Sequence, residues 1–165
     1  MVTQIIFKMI PNADDRKDIV QDIFLKTFQK LVSFKFQSKL STWVGEIAYN
    51  TCLNYLEKKK LVFPDNNGET NEDALEILNN KDGAVTNETE KTVFKKELSE
   101  ILKTEIDKLS PVYKTLITLY HNEELSYTEI AEITRLPEGT VKNYLFRARK
   151  ALKNSLLLTY KREAL

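Results

Sequence analysis

Apolar residues recur at three- and four-residue steps along most of this chain, which predicts helices and no strands. Ile5, Ile6 and Met9 begin a helical pattern that stops at Pro11. Asn12 or Asp14 can cap the next helix, and Asp14, Asp15 and Asp18 suit the positive end of its dipole. Ile19, Val20, Ile23, Phe24, Phe28 and Leu31 then form a wide apolar stripe, predicted to face a core. Phe34–Leu40 has no period and reads as a loop. Ser41 or Thr42 is placed to cap a long helix with Trp43, Val44, Ile47, Ala48, Cys52, Leu53 and Leu56 inward, ending at Lys58-Lys59-Lys60. After a polar interval the pattern resumes with Leu98, Ile101, Leu102, Ile106 and Leu109. Ser110-Pro111 reads as a cap and a first-turn proline. The next helix carries Leu116, Ile117 and Tyr120 to a turn at His121–Glu124.

The segment Leu125–Leu152 is the most informative. Ser126 and Glu129 have the spacing of a capping box. Ile130, Ala131 and Ile133 supply one apolar face. Arg135–Gly139 contains a proline and a glycine, enough to end one helix and start another. From Thr140 the apolar positions are Val141, Leu145, Ala148 and Leu152. Lys142, Asn143, Arg147, Arg149, Lys150 and Lys153 fall elsewhere, and no acid stands between Thr140 and Leu158. A short capped helix, a tight turn and a second helix with a cationic, amide-bearing front describe a helix-turn-helix fit for a DNA major groove. A basic amphipathic helix can also be a plain solvated face. The capped helix before it favours DNA.

Composition adds bounds. The 165 residues allow one domain or two small ones, and four glycines with four prolines suit helices. Cys52 is the single cysteine, so no internal disulfide is expected. With no signal peptide and no apolar run of membrane-spanning length, a cytoplasmic protein without membrane insertion is expected. The net charge of +1 hides a division. Residues 1–62 balance to +4, residues 63–91 to −6 and residues 92–165 to +3. Two mildly basic helical blocks flank an acidic stretch rich in Asn, Asp, Glu, Gly and Thr, which reads as a flexible linker with one short apolar patch at Ala74–Leu78.

Enzyme chemistry finds no foothold. His121 is the single histidine and reads as a surface residue beside a turn. One histidine and one cysteine make no metal cluster, and there is no glycine-rich phosphate loop. No catalytic residue, metal or cofactor is expected. Ser33–Leu56 is richer, interleaving Phe34, Phe36 and Trp43 with Lys35, Lys39, Ser38, Ser41 and Thr42. Aromatics among cations can stack on and neutralise single-stranded nucleic acid. The same aromatics can equally be core residues. Asn50 and Asn54, four apart, share one helix face, which can meet base edges or water.

These segments together resemble the extracytoplasmic-function group of sigma-70-type sigma factors. DDRKDIVQDIFLKTFQKL and STWVGEIAYNTCLNYLEKKK resemble the family's region two. LSPVYKTLITLYHNEELSYTEIAEITRLPEGTVKNYLFRARKAL resembles its region four. The resemblance implies an all-α protein of two small helical domains: residues 1–62 as a region-two three-helix bundle and residues 92–165 as the region-four helix-turn-helix, joined by the linker 63–91. It implies a transcription initiation factor that binds core RNA polymerase and directs it to promoters.

By that resemblance, Asp18, Gln21, Asp22 and Phe24 would contact the polymerase clamp helices. Phe34, Lys35, Ser38 and Lys39 would capture a flipped base of the minus-ten element, a few kcal/mol out of its stack. Asn50 and Asn54 would hold the same non-template strand, with Trp43 near the point of strand separation. Lys142, Asn143, Phe146, Arg147 and Arg149 would read or clamp the minus-thirty-five element. The linker would thread toward the polymerase active-centre and RNA-exit channels. Many members are held inactive by an anti-sigma factor, a further partner the resemblance allows. Three departures stand out: a short N-terminus, Phe36 where a small residue is common, and Glu46 where a basic one is common. The alternatives are a stand-alone helix-turn-helix regulator and a helical adaptor with no DNA role. The DIVQDIF-to-TWVGEIAYN block speaks against the first of these, because a plain regulator has no reason to carry it.

Overall fold

A computed structural model of the chain describes the backbone of residues 1–62 and 88–163, and side chains over 1–59 and 98–157. The acidic stretch 63–87, with its Ala74–Leu78 patch, lies outside the described residues. Seven α-helices and one short 3-10 turn, with no strand among the described residues, make up the fold. They are α1 (Val2–Met9), α2 (Ala13–Lys30), α3 (Leu40–Val62), α4 (Glu88–Asp107), α5 (Pro111–His121), α6 (Tyr127–Thr134) and α7 (Glu138–Glu163), with the 3-10 turn at Leu31–Ser33.

Local chemistry explains most of the boundaries. The Asn12 side chain accepts hydrogen bonds from the Asp14 and Asp15 amides and starts α2. Ser110 and Pro111 start α5. Ser126 and Glu129 close both halves of the capping box on α6. Arg135 ends α6 in the left-handed region at φ 57°, and α7 begins at Glu138, two residues before the start read from periodicity. Helix α3 also starts early, at Leu40, with the Lys39 carbonyl accepting from the Trp43 amide. Ser41 and Thr42 therefore lie inside its first turn and do not cap it, and the helix runs past the three lysines to Val62.

The α2 stripe is the main correction. Only Ile19 and Ile23 are buried, whereas Phe24 (70% exposed), Phe28 (78%) and Leu31 face outward. The apolar positions spread over more of the helix circumference than one neighbour can cover. Helix α1 fills the core, with Ile5, Ile6 and Met9 buried against α3 and α5. Tyr49, absent from the apolar stripe read for α3, is buried, and burial raises its phenol to about 12. Burial likewise pushes the Cys52 thiol up to about 12, which keeps it protonated and unreactive.

The two helical blocks pack on each other, α1 against α5 and α3 against α6, around one continuous set of buried side chains. Gly45 marks a close approach. A Cβ there would stand 3.3 Å from Ile133 and 2.9 Å from the Met1 methyl carbon. Four ion pairs stitch the same junction: Met1 amino group to Glu123 (2.7 Å), Lys8 to Asp107 (2.7 Å), Lys39 to Glu129 (2.8 Å) and Arg135 to Glu46.

Candidate nucleic-acid interface

The loop before α3 gathers its aromatics as a cluster. The Phe34 ring lies 5.0 Å from Trp43 and 4.7 Å from Phe36, centroid to centroid. Phe34 and Trp43 are half-buried, so Trp43 is neither a full core residue nor a free platform. Phe36 is 86% exposed and sits at φ 56°, a left-handed conformation disfavoured for a bulky side chain. Lys35 is exposed and Ser38 is half-buried beside it. Lys39 turns away to Glu129, whose carboxylate holds its ammonium above the ordinary lysine range.

One turn further along α3, a cleft of about 290 Å³ brings Asn50 and Asn54 together with Lys26, Lys30, Glu46 and Arg135. The Asn50 amide donates to the Glu46 carbonyl (2.9 Å), and Asn54 is exposed. Amides flanked by three cations can bind a phosphate chain and hydrogen-bond a base. Glu46 also receives the Arg135 guanidinium, with Nε at 2.6 Å. An acid among DNA contacts thus has a counter-charge, but one supplied by the helix-turn-helix and 89 residues away.

On α2, Asp18 and Gln21 are exposed, Asp22 pairs with Lys26 (2.6 Å), and Phe24 projects outward. Leu25, Phe28 and Val32 extend that exposed apolar surface, and periodicity alone had no means of telling them from core positions.

On α7, Val141, Leu145, Ala148 and Leu152 are buried, which turns Lys142, Asn143, Phe146 (41% exposed) and Arg149 outward; Arg147 is half-buried. Lys142 pairs with Glu138 (2.7 Å) and stands 5.3 Å above the Tyr127 ring. Arg149 lies 4.9 Å over Tyr120 and donates to the His121 ring at 3.4 Å. His121, expected as a lone surface histidine, is thus tied to α7. Tyr120 and Tyr127 join the site only through their stack, because their spacing either side of the α5–α6 turn carries no signal in the sequence. The site residues therefore form three groups: the α2 surface, the loop-α3 cleft and the α7 face. The structure joins the second to the helix-turn-helix through Lys39 and Glu46. No candidate metal cluster exists among the described residues, and no described helix is long and apolar enough to cross a membrane.

This arrangement defines a two-part helical protein that carries a helix-turn-helix and an exposed apolar face. Comparison with known proteins gives its kin. Residues 1–62 match the sigma-70 region 2 family and residues 99–152 match sigma-70 region 4. The chain is 34% identical over 157 residues to the ECF RNA polymerase sigma factor SigW of Bacillus subtilis, covering 94% of this chain and 82% of that protein. It is 34% identical over 158 residues to the ECF RNA polymerase sigma-E factor of Escherichia coli, covering 94% and 80%. In fold it is similar to the sigma factor RpoE solved with the anti-sigma factor NepR from Bartonella quintana (TM-score 0.64, 23% identity, 94% of this chain and 89% of that one). The chain belongs to the extracytoplasmic-function sigma factors of the sigma-70 family, and it is a transcription initiation factor that directs RNA polymerase to promoters. The match over residues 1–62 disfavours a stand-alone regulator, which has no reason to carry that half.

Proposed function

We propose the following division of labour. Residues 1–62 dock on core polymerase and hold the opened minus-ten strand; residues 92–165 bind the minus-thirty-five duplex. Asp18, Gln21, Asp22 and Phe24 meet the polymerase. Phe34, Lys35, Ser38, Lys39, Trp43, Asn50 and Asn54 take the single strand, and Lys142, Asn143, Phe146, Arg147 and Arg149 take the major groove. The observation that carries this reading is the coexistence of two unlike surfaces on one chain. The aromatic cluster of Phe34, Phe36 and Trp43, followed along α3 by an amide-lined cleft, suits unstacked bases, and a cationic helix front suits a duplex. The chain acts in the cytoplasm, performs no catalysis itself, and is open to capture by an anti-sigma factor, the kind of partner seen with RpoE in its solved structure.

Promoter binding requires the two halves to part. Elements named for positions 25 base pairs apart are about 85 Å distant along B-form DNA at 3.4 Å per pair. The packed halves place Lys39 against α6, far too close for both sites at once. The chain between Val62 and Glu88 can reach about 90 Å at most, at ~3.4 Å per residue. That covalent reach permits the separation. The test is to mix the protein with bacterial core polymerase and look for promoter-specific transcripts from a matched genome. Transcripts with discrete start sites are expected. Duplex binding by the free protein with no polymerase association would refute the reading.

A further inference from the structure

Tyr120 and Tyr127 stack face to face across the α5–α6 turn, with ring centroids 5.0 Å apart and planes 19° from parallel. Each ring carries one cation of α7: Arg149 on Tyr120 and Lys142 near Tyr127. The His121 ring meets Tyr120 edge-on and accepts from Arg149. The Tyr127 phenol is held below its usual range by a hydrogen bond from Tyr120 and by the nearby cations. The two tyrosines thus form one unit, with Arg149 over Tyr120 and hydrogen-bonded to Tyr127, and with Lys142, ion-paired with Glu138 at 2.7 Å, above Tyr127.

Helix geometry separates these two cations from the rest of the front. At about 100° per residue, Arg149 falls roughly 20° from Lys142, two turns along the helix, whereas Asn143 lies about 100° further round. Lys142 and Arg149 therefore share one edge of α7, beside the buried stripe, and Asn143 and Arg147 share another. An arginine carries five N–H donors, so the bonds of Arg149 to the His121 ring and to the phenols still leave a donor for a phosphate oxygen. Holding a long side chain in one rotamer before binding also lowers the ordering cost at binding.

We propose that Tyr120 and Tyr127 are positioning residues, an aromatic shelf that presets Arg149 and Lys142 as phosphate clamps and leaves base choice to the Asn143 edge. This rests on the reading of α7 as the minus-thirty-five helix. The test uses reconstituted holoenzyme on promoters with varied minus-thirty-five sequences, over a range of salt. Tyr120→Leu should weaken binding about three- to fivefold, equally on every sequence, and lower the salt-dependence slope by roughly one. Tyr120→Phe, which keeps the ring, should restore most of the loss. In an Arg149→Ala background, Tyr120→Leu should cost nothing more. Tyr127→Leu with Lys142→Ala gives a second cycle at the other ring, and circular dichroism checks folding in each. A loss that varies with base sequence, one that adds to Arg149→Ala, or unaltered binding by folded variants overturns the shelf. Failure of the unsubstituted holoenzyme to select promoters would instead overturn the reading beneath it.

Discussion

Lys39 and Glu129 meet at 2.8 Å across the junction of the two halves, joining the proposed minus-ten loop to the cap of the helix-turn-helix. The Glu129 carboxylate also accepts from the Ser126 amide (3.0 Å) and hydroxyl (2.9 Å). One side chain thus completes the local start of α6 and tethers a loop 90 residues away. Its pKa is lowered to about 2, first by the Lys39 hydrogen bond and then by Ser126.

That depression gives a pH signature. A carboxylate whose folded pKa lies below its unfolded value stabilises the fold above the unfolded pKa, near 4.5, and loses the contribution as pH falls toward 2. Denaturant midpoints measured from pH 6 downward should therefore decline through this window in the natural protein. Glu129→Gln keeps the capping geometry but not the charge, so its midpoint should be lower at pH 6 and should fall less on acidification. Parallel curves for the two proteins would show that Glu129 is not the group responsible.

Glu46 and Arg135 form another of the bridges at this junction. A single exposed ion pair is worth about 0–1 kcal/mol, so neutralising Glu46 should shift the halves little. Glu46→Lys also places two cations together beside the closely packed Gly45 and Ile133. We expect it to open the molecule, seen as a larger radius of gyration in small-angle scattering and as faster proteolysis between Val62 and Glu88. Adding Arg135→Glu to Glu46→Lys restores an opposite pair and should restore the smaller radius. Equal radii for all three proteins would show that the bridge does not hold the halves.

Much of the local structure was legible from short spacings. Ser126 with Glu129, Ser110 with Pro111 and Asn12 before Asp14 each fix a helix start within four residues, so a local reading finds them. The α7 face was legible for the same reason: Val141, Leu145, Ala148 and Leu152 define its back. Phe24 and Phe28 misled because periodicity shows that a face is apolar, not whether the fold covers it. Glu46 looked like a poor fit to DNA because its partner, Arg135, lies in the other half of the chain. The Tyr120–Tyr127 stack depends on the angle between α5 and α6, which no spacing encodes.

The exposure of Phe24 separates its roles. A side chain 70% exposed contributes little to the core, so Phe24→Ala should change unfolding stability by about 0.5 kcal/mol or less. If it docks on polymerase, the same change should weaken core association by more than about 1 kcal/mol, as an aromatic anchor does. Phe28→Ala is expected to behave alike, being on the same face one turn later. Thermal unfolding and a polymerase-binding titration on the same preparations distinguish the outcomes. A large stability loss with unchanged association would return Phe24 to a structural role.

Arg147 offers the sharpest test of the α7 face. It lies on the Asn143 edge, about 40° from Asn143 around the helix and away from the Lys142–Arg149 edge. A bidentate base contact discriminates by about 1–3 kcal/mol per base pair. Arg147→Ala should therefore lower holoenzyme affinity for the preferred minus-thirty-five sequence by that amount and relax selection at one or two adjacent positions. Binding to already mismatched sequences should change little, and the salt slope should hardly move. Arg149→Ala should give the opposite profile, a sequence-independent loss with a shallower slope. The comparison needs both variants on one panel of promoters. If Arg147→Ala reproduces the Arg149→Ala profile, both are phosphate contacts, and base choice moves to Asn143 and Phe146.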